Sequence, residues 1–166
     1  MNNILTVENI MTAEENKNFC QPIYGYGYKY GENDDIDLPP TGLVHELTLD
    51  DTVYLKTIEL VKANVAFLKN SVPYRAYINF FLPLDKPYFH TDGHGTTVLF
   101  YATEFFDIQE GGETQFINNM GHIIGVFPKP ASMVVFDASI KHRATSYRTK
   151  PRFTVALKYE TPFLSD

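Results

Sequence analysis

A chain of 166 residues with 44% hydrophobic and 20% charged residues, 11 Tyr, 13 Phe and no Trp has the composition of a packed protein of one domain, 1–166, and not of a disordered chain. Fourteen Lys and Arg against 20 Asp and Glu leave a formal charge of −6, which argues against nucleic acid and membrane surfaces as partners. The one cysteine, Cys20, excludes an intrachain disulfide framework and any two-Cys metal site; with no basic leader and no run of about 18 apolar residues, the expectation is a soluble, cytoplasmic protein.

The front of the chain, 1–70, opens on no repeat and reaches a Tyr/Gly segment, Tyr24-Gly25-Tyr26-Gly27-Tyr28-Lys29-Tyr30-Gly31, followed by Glu32, Asp34, Asp35 and Asp37. If extended, its four tyrosines share a face. Two readings stand open, an edge strand packed on the core and a loop that covers a substrate. Further on, Tyr54, Ile58, Val61, Val65 and Leu68 recur at helical spacing with Lys56, Glu59 and Lys62 between them, an amphipathic helix. Thr48 with Asp51 three residues on marks its expected start.

From Pro73 the pattern changes to short runs rich in Tyr, Phe, Val, Ile and Thr, expected as strands near 74–82, 96–102, 114–118, 122–126, 132–137 and 152–159. Turn residues separate them at Gly111-Gly112, at Asn118-Asn119-Met120-Gly121 and at Pro128-Lys129-Pro130-Ala131. A helix followed by many antiparallel strands predicts a mainly β (α+β) protein, a β-sandwich or jelly roll with a supporting N-terminal helix.

Of five histidines, His90 stands out because an extended backbone through His90-Thr91-Asp92 places His90 and Asp92 on one face, with Gly93 and Gly95 turning the chain away. His142, at the end of the apolar run Ser132 to Asp137, offers a third ligand. Two imidazoles and one carboxylate leave coordination positions open, the donor set of non-haem Fe(II) oxygenases. His94 is near enough to compete with His90, while His45 and His122 are read as structural. Ten residues after His142, Pro151-Arg152-Phe153-Thr154 begins an alternating strand whose polar face carries Arg152 and Thr154. An Arg in an aromatic-walled pocket needs an anion, and its guanidinium suits a carboxylate. Arg143, Arg148 and Lys150 are alternative anchors.

His90-Thr91-Asp92, Gly111-Gly112-Glu113-Thr114-Gln115-Phe116, His142 and Arg152 resemble, in order, the landmarks of the Fe(II)/2-oxoglutarate-dependent dioxygenases, and within them the prolyl 4-hydroxylase-like branch. The resemblance covers about residues 74–160 and implies a double-stranded β-helix (jelly roll, cupin-like). It implies that His90, Asp92 and His142 ligate Fe(II) and are the catalytic set, that Arg152 holds the C5 carboxylate of 2-oxoglutarate, and that Tyr101 also touches the co-substrate. Thr154 is placed to give the same carboxylate a hydroxyl hydrogen bond. Dioxygen (O2) is the third reactant, and succinate and carbon dioxide are the co-products.

Related halogenating enzymes lack the carboxylate ligand, so Asp92 implies hydroxylation of a C–H bond. The branch often carries a second pocket tyrosine about ten residues before the first ligand; here Phe80 and Phe81 stand in that region. The implied substrate is a peptidyl residue, prolyl above all, or a small molecule. Two other classes use the same strands: a cupin-like metal-dependent isomerase or hydrolase without 2-oxoglutarate, which leaves Arg152 unexplained, and a non-catalytic jelly-roll binding module.

Overall fold

Side chains from Pro73 onward alternate with period two, and the computed structural model, which describes residues 3–31, 33 and 37–164, shows what each face meets. Ten strands form among the described residues: β1 (Ile4–Val7), β2 (Lys29–Tyr30), β3 (Leu43–Glu46), β4 (Arg75–Phe81), β5 (Thr96–Tyr101), β6 (Thr114–Ile117), β7 (Ile123–Val126), β8 (Met133–Asp137), β9 (His142–Ala144) and β10 (Arg152–Tyr159). Two helices accompany them, α1 (Ala13–Gly25) and α2 (Thr52–Asn64). Seven strands make an antiparallel sheet in the order β1-β8-β5-β10-β4-β3-β2, and β7-β6-β9 make a smaller one. None of the described helices is long and apolar enough to cross a membrane.

One face of the large sheet presents Ile78, Phe100, Val135, Val155 and Leu157 to Phe19, Cys20 and Ile23 of α1 and to Val53, Leu60 and Val61 of α2. The opposite face presents Leu99, Tyr101, Val134, Phe136 and Ala156, which pack with Phe116 of the small sheet. Each large side chain buried here contributes about 1.5–3 kcal/mol, so both faces hold the register. A one-residue slip of β10 would turn Arg152, Thr154 and Lys158 under the helices, which is why these polar residues keep to the space between the sheets.

Every expected strand forms, with ends within about a residue. The sheet also reaches beyond the 74–160 span of the resemblance, since β1 pairs with β8 from Ile4↔Phe136 to Val7↔Met133, and β3 pairs with β4. Thr48 is not the helix cap. Asp51 is: its Oδ1 accepts from Val53 N at 2.7 Å, while Thr48 Oγ1 turns to Asp50 at 2.6 Å. The helix also ends earlier than its apolar spacing suggests, because Val65 leaves helical geometry and Leu68 reaches the core from a short 3-10 turn.

The helix α1 was not expected. Its capping box is complete, with Glu15 N donating to Thr12 Oγ1 at 3.2 Å and Thr12 N to Glu15 Oε2 at 2.8 Å. Pro22 inside it and a mostly polar sequence hide its narrow buried face of Asn16, Phe19, Cys20 and Ile23. Tyr24 belongs to its last turn, so the four tyrosines do not share one extended face. The tyrosine ring of Tyr26 stacks on His45 at 4.3 Å and that of Tyr28 meets Phe80 at 5.1 Å, while Tyr30 lies on the edge strand β2. Glu32, Asp34 and Asp35, the acidic run expected after this segment, lie outside the described residues.

Candidate active site

Three candidate ligand residues converge on a cavity lined by Thr114 and Ala144 of the small sheet and by Asn79, Leu99 and Thr154 of the large one. His142 begins β9 and exchanges two backbone hydrogen bonds with His90, N to O and O to N at 2.9 Å each. This bridge continues the small sheet by one residue and brings together two histidines 52 positions apart in sequence. Two residues on, Asp92 N donates to Ala138 O at 2.8 Å and Ala138 N to Gly95 O at 3.0 Å, tying the loop to the end of β8. Gly95 sits at φ +96°, and a Cβ there would collide with the Tyr159 carbonyl oxygen, so this tie requires glycine.

The donor atoms of His90, Asp92 and His142 lie within 4.8 Å of one another. His90 Nε2 is 3.6 Å from Asp92 Oδ1, and His142 Nε2 is 3.5 Å from Asp92 Oδ2. Both imidazoles are oriented from behind. Nδ1 of His142 is 2.8 Å from the Ile140 carbonyl and Nδ1 of His90 is 3.1 Å from that of Tyr88. A carbonyl only accepts, so each Nδ1 carries the proton and each Nε2 presents a lone pair to the centre. Phe136 and Phe116 hold the His142 ring at 4.6 and 6.0 Å.

Burial pushes the His142 imidazolium down to about 4, against the pull of Asp92 and with repulsion from His90 and Lys158, so the ring is neutral at pH 7. Burial alone would raise the Asp92 carboxyl. The adjacent Lys158 ammonium outweighs it and holds the group well below the usual carboxylate range. A neutral imidazole at His142 and an ionised carboxylate at Asp92 are the protonation states that bind a divalent transition metal.

Behind the ligands a cavity of about 250 Å³ is lined by Asn79, Thr114, Arg152 and Thr154 as well as the three ligands. It suits a small acid better than the drug-sized ligands that occupy roughly 300–1,000 Å³. Arg152, 1% exposed, donates from Nε to Gly112 O at 2.8 Å and from its two terminal nitrogens to Thr154 Oγ1 at 2.8 Å and Thr114 Oγ1 at 3.1 Å. All three acceptors are neutral, and among the described residues it forms no ion pair with a carboxylate. Burial pulls its guanidinium pKa down, the direction expected of a cation without a counter-ion.

Across β10 from it, Asn79 pairs in register with Thr154 and points to the same side. Its Oδ1 is buried without a hydrogen-bond partner, and turning the amide over would instead strand an N–H. A buried cation without an anion, lining one cavity with an Asn79 amide that can be turned to present its N–H, fits a carboxylate-bearing ligand.

Thr154 lines the cavity. Tyr101 does not reach it: wholly buried, the phenol donates to Thr114 Oγ1 at 2.9 Å, one layer behind the lining. His94 and His122 are exposed, and His45 stacks on Tyr26. Arg143 binds Gln115 at 2.9 Å, Lys150 lies over the Phe105 ring and Arg148 is exposed, so none of the alternative anchors lines the cavity.

Gly111-Gly112 is more than a hairpin connection, because Gly112 supplies a carbonyl to Arg152. Asn79 and Lys158 were missed from the sequence although both left a trace. Asn79 is the polar interruption in Ala76-Tyr77-Ile78-Asn79-Phe80-Phe81, and Lys158 is six residues after Arg152, on the same face by alternation.

No family model and no curated protein sequence matches the chain. Solved structures do. A prolyl-4-hydroxylase from Pseudomonas putida superposes with a TM-score of 0.76 at 10% identity, covering 97% of this chain and 94% of that one. A prolyl hydroxylase from Trichoplax adhaerens, in complex with a peptide fragment of a hypoxia inducible factor, gives 0.71 at 15% identity over 96% and 84%. HygX from Streptomyces hygroscopicus, with nickel, 2-oxoglutarate and hygromycin B bound, gives 0.74 at 12% identity over 99% and 85%. The chain has the double-stranded β-helix fold of the 2-oxoglutarate/Fe(II) oxygenases.

Proposed function

We propose that this chain is an Fe(II)- and 2-oxoglutarate-dependent dioxygenase that hydroxylates a C–H bond. The observation that carries the reading is that the His90–Asp92–His142 donor set and the uncompensated cation of Arg152 open onto one cavity. When bound, iron, 2-oxoglutarate and dioxygen supply the oxidising chemistry: the oxo acid becomes succinate and carbon dioxide while a substrate C–H becomes C–OH. The protein holds the metal by His90 Nε2, His142 Nε2 and the Asp92 carboxylate, and leaves the remaining positions open.

Arg152 receives the far carboxylate of the co-substrate, and Thr154 and Asn79 add hydrogen bonds around it. Tyr101 acts one step removed, fixing Thr114, which in turn accepts from Arg152. Asp92 fills the position that halogenating relatives leave vacant, so the outcome is hydroxyl transfer.

The substrate class we favour is a peptidyl residue of the prolyl kind, with a small molecule second. Its support is Tyr74, which lines the cavity and is 56% exposed, an aromatic surface against which an apolar ring can pack. The solved structures include both a peptide complex and a hygromycin B complex.

The test is an anaerobic titration of Fe(II) and then 2-oxoglutarate into the apo protein, following the weak visible charge-transfer band of a chelated 2-oxo acid. The band is expected in the wild type and absent in His142→Ala and Arg152→Ala. Iron binding without the band would instead favour the isomerase or hydrolase class, and no metal binding would mean a binding module.

A further inference from the structure

The ligand Asp92 is shared with a cation. Lys158 lies on the inner face of β10, opposite Thr97 in the register with β5, and its ammonium contacts Asp92 Oδ2. Thr97 Oγ1 donates to the same oxygen at 2.6 Å, and Lys158 Nζ is also 3.4 Å from Thr97 Oγ1. The side chain is 8% exposed, lies 5.8 Å from the Tyr77 ring centroid and lines the same cavity as Arg152. A lysine is not needed to satisfy Asp92, since Thr97 already donates to Oδ2 and Oδ1 is left for an ion.

The arithmetic of charge gives the lysine a different purpose. With both imidazoles neutral, as binding a metal through Nε2 requires, the ligand set carries −1 from Asp92; Lys158 cancels it, Arg152 leaves +1, and Arg75 at the mouth is paired with Glu46. A divalent cation entering alone meets no net attraction, whereas a dianion that arrives with it meets two protein cations. We propose that Lys158 is a specificity-determining residue that weakens the site for bare metal and strengthens it for metal together with a dicarboxylate. This rests on the reading of the cavity as a metal and 2-oxoglutarate site. The consequence is a centre that resists loading by a divalent ion without its co-substrate.

The test is calorimetric binding, with no turnover. Mn(II) is titrated into the metal-free wild type, Lys158→Met and Lys158→Arg, and 2-oxoglutarate is then titrated into each manganese-loaded protein. Lys158→Met is expected to bind Mn(II) alone at least about tenfold more tightly and 2-oxoglutarate at least about tenfold more weakly, because the removed charge acts with opposite sign on the two ligands. Lys158→Arg retains the charge and is expected to keep both affinities near those of the wild type.

A merely structural lysine predicts the other pattern, a loss of both affinities in Lys158→Met, and that result would overturn the proposal. So would changes of less than threefold in both. Lys158→Gln, which keeps a polar head, is the second neutral variant should the methionine protein not fold, with the same expectations. Failure of the wild type to bind Mn(II) or 2-oxoglutarate would strike the dioxygenase reading itself, whereas binding in the wild type with unaltered variants would remove only the role of Lys158.

Discussion

Replacing Arg152 by Met separates what the guanidinium does for the fold from what it does for a ligand. In the ligand-free protein the substitution removes a buried cation whose desolvation costs several kcal/mol. It also removes three hydrogen bonds, but Thr114 Oγ1 keeps its donor in Tyr101 and Thr154 faces the cavity, so only the Gly112 carbonyl loses a partner, at about 1–3 kcal/mol. The two contributions oppose each other, and the ligand-free variant is expected to be as stable as the wild type or slightly more so.

Ligand binding behaves differently. Loss of one partner of a buried charge pair costs about 3–5 kcal/mol, two orders of magnitude or more in Kd. With Mn(II) present and 2-oxoglutarate at about 100 times the wild-type Kd, the wild type gains about 2.7 kcal/mol of stability. The variant at that concentration gains less than about 0.5 kcal/mol. For a domain of this size the difference is a thermal shift of about 5–11 °C in the wild type against about 2 °C or less in the variant. Scanning calorimetry with and without 2-oxoglutarate reads both quantities. A ligand-free variant destabilised by more than about 2 kcal/mol that keeps its ligand-induced shift would refute the reasoning and make Arg152 a structural ion.

Gly95→Ala should lower stability by about 2–4 kcal/mol in urea unfolding, because φ +96° and the Tyr159 carbonyl oxygen both exclude a side chain; a loss under about 1 kcal/mol would show that the loop relaxes. Thr12→Ala removes one half of the capping box and should cost about 0.5–2 kcal/mol in the same assay. Burial pushes the Cys20 thiol up to about 11, so the native protein should resist alkylation by iodoacetamide at pH 8 and react only after unfolding. Burial likewise raises the Tyr26 and Tyr101 phenols to about 12. Between about pH 9 and 12 the unfolded chain therefore loses protons that the folded chain keeps, and stability should be full below pH 9 and fall as pH rises; a flat profile over that range would contradict it.

The sequence by itself determined the strands of the second half, since period-two alternation with two buried faces admits one register for each. It also singled out the candidate ligands, because His90 and Asp92 are local to one another and the spacing to His142 and Arg152 resembles a family order. The first third was harder to read. Pro22 and a polar surface concealed α1, and β1, β2 and β3 are short strands whose pairing partners lie far along the chain.

Tertiary structure alone decided which polar groups share the cavity and which are screened from it. Tyr101 and Thr154 are partners in register between β5 and β10, yet the Tyr101 phenol ends on Thr114 while Thr154 reaches the lining. Gly112 and Thr114 meet Arg152 only because the small sheet folds over the large one. Lys158 meets Asp92 across 66 residues of chain. Alternation dictates the face on which a side chain emerges, but the charge it then meets depends on which strands lie opposite, and that is settled by how the two sheets pack.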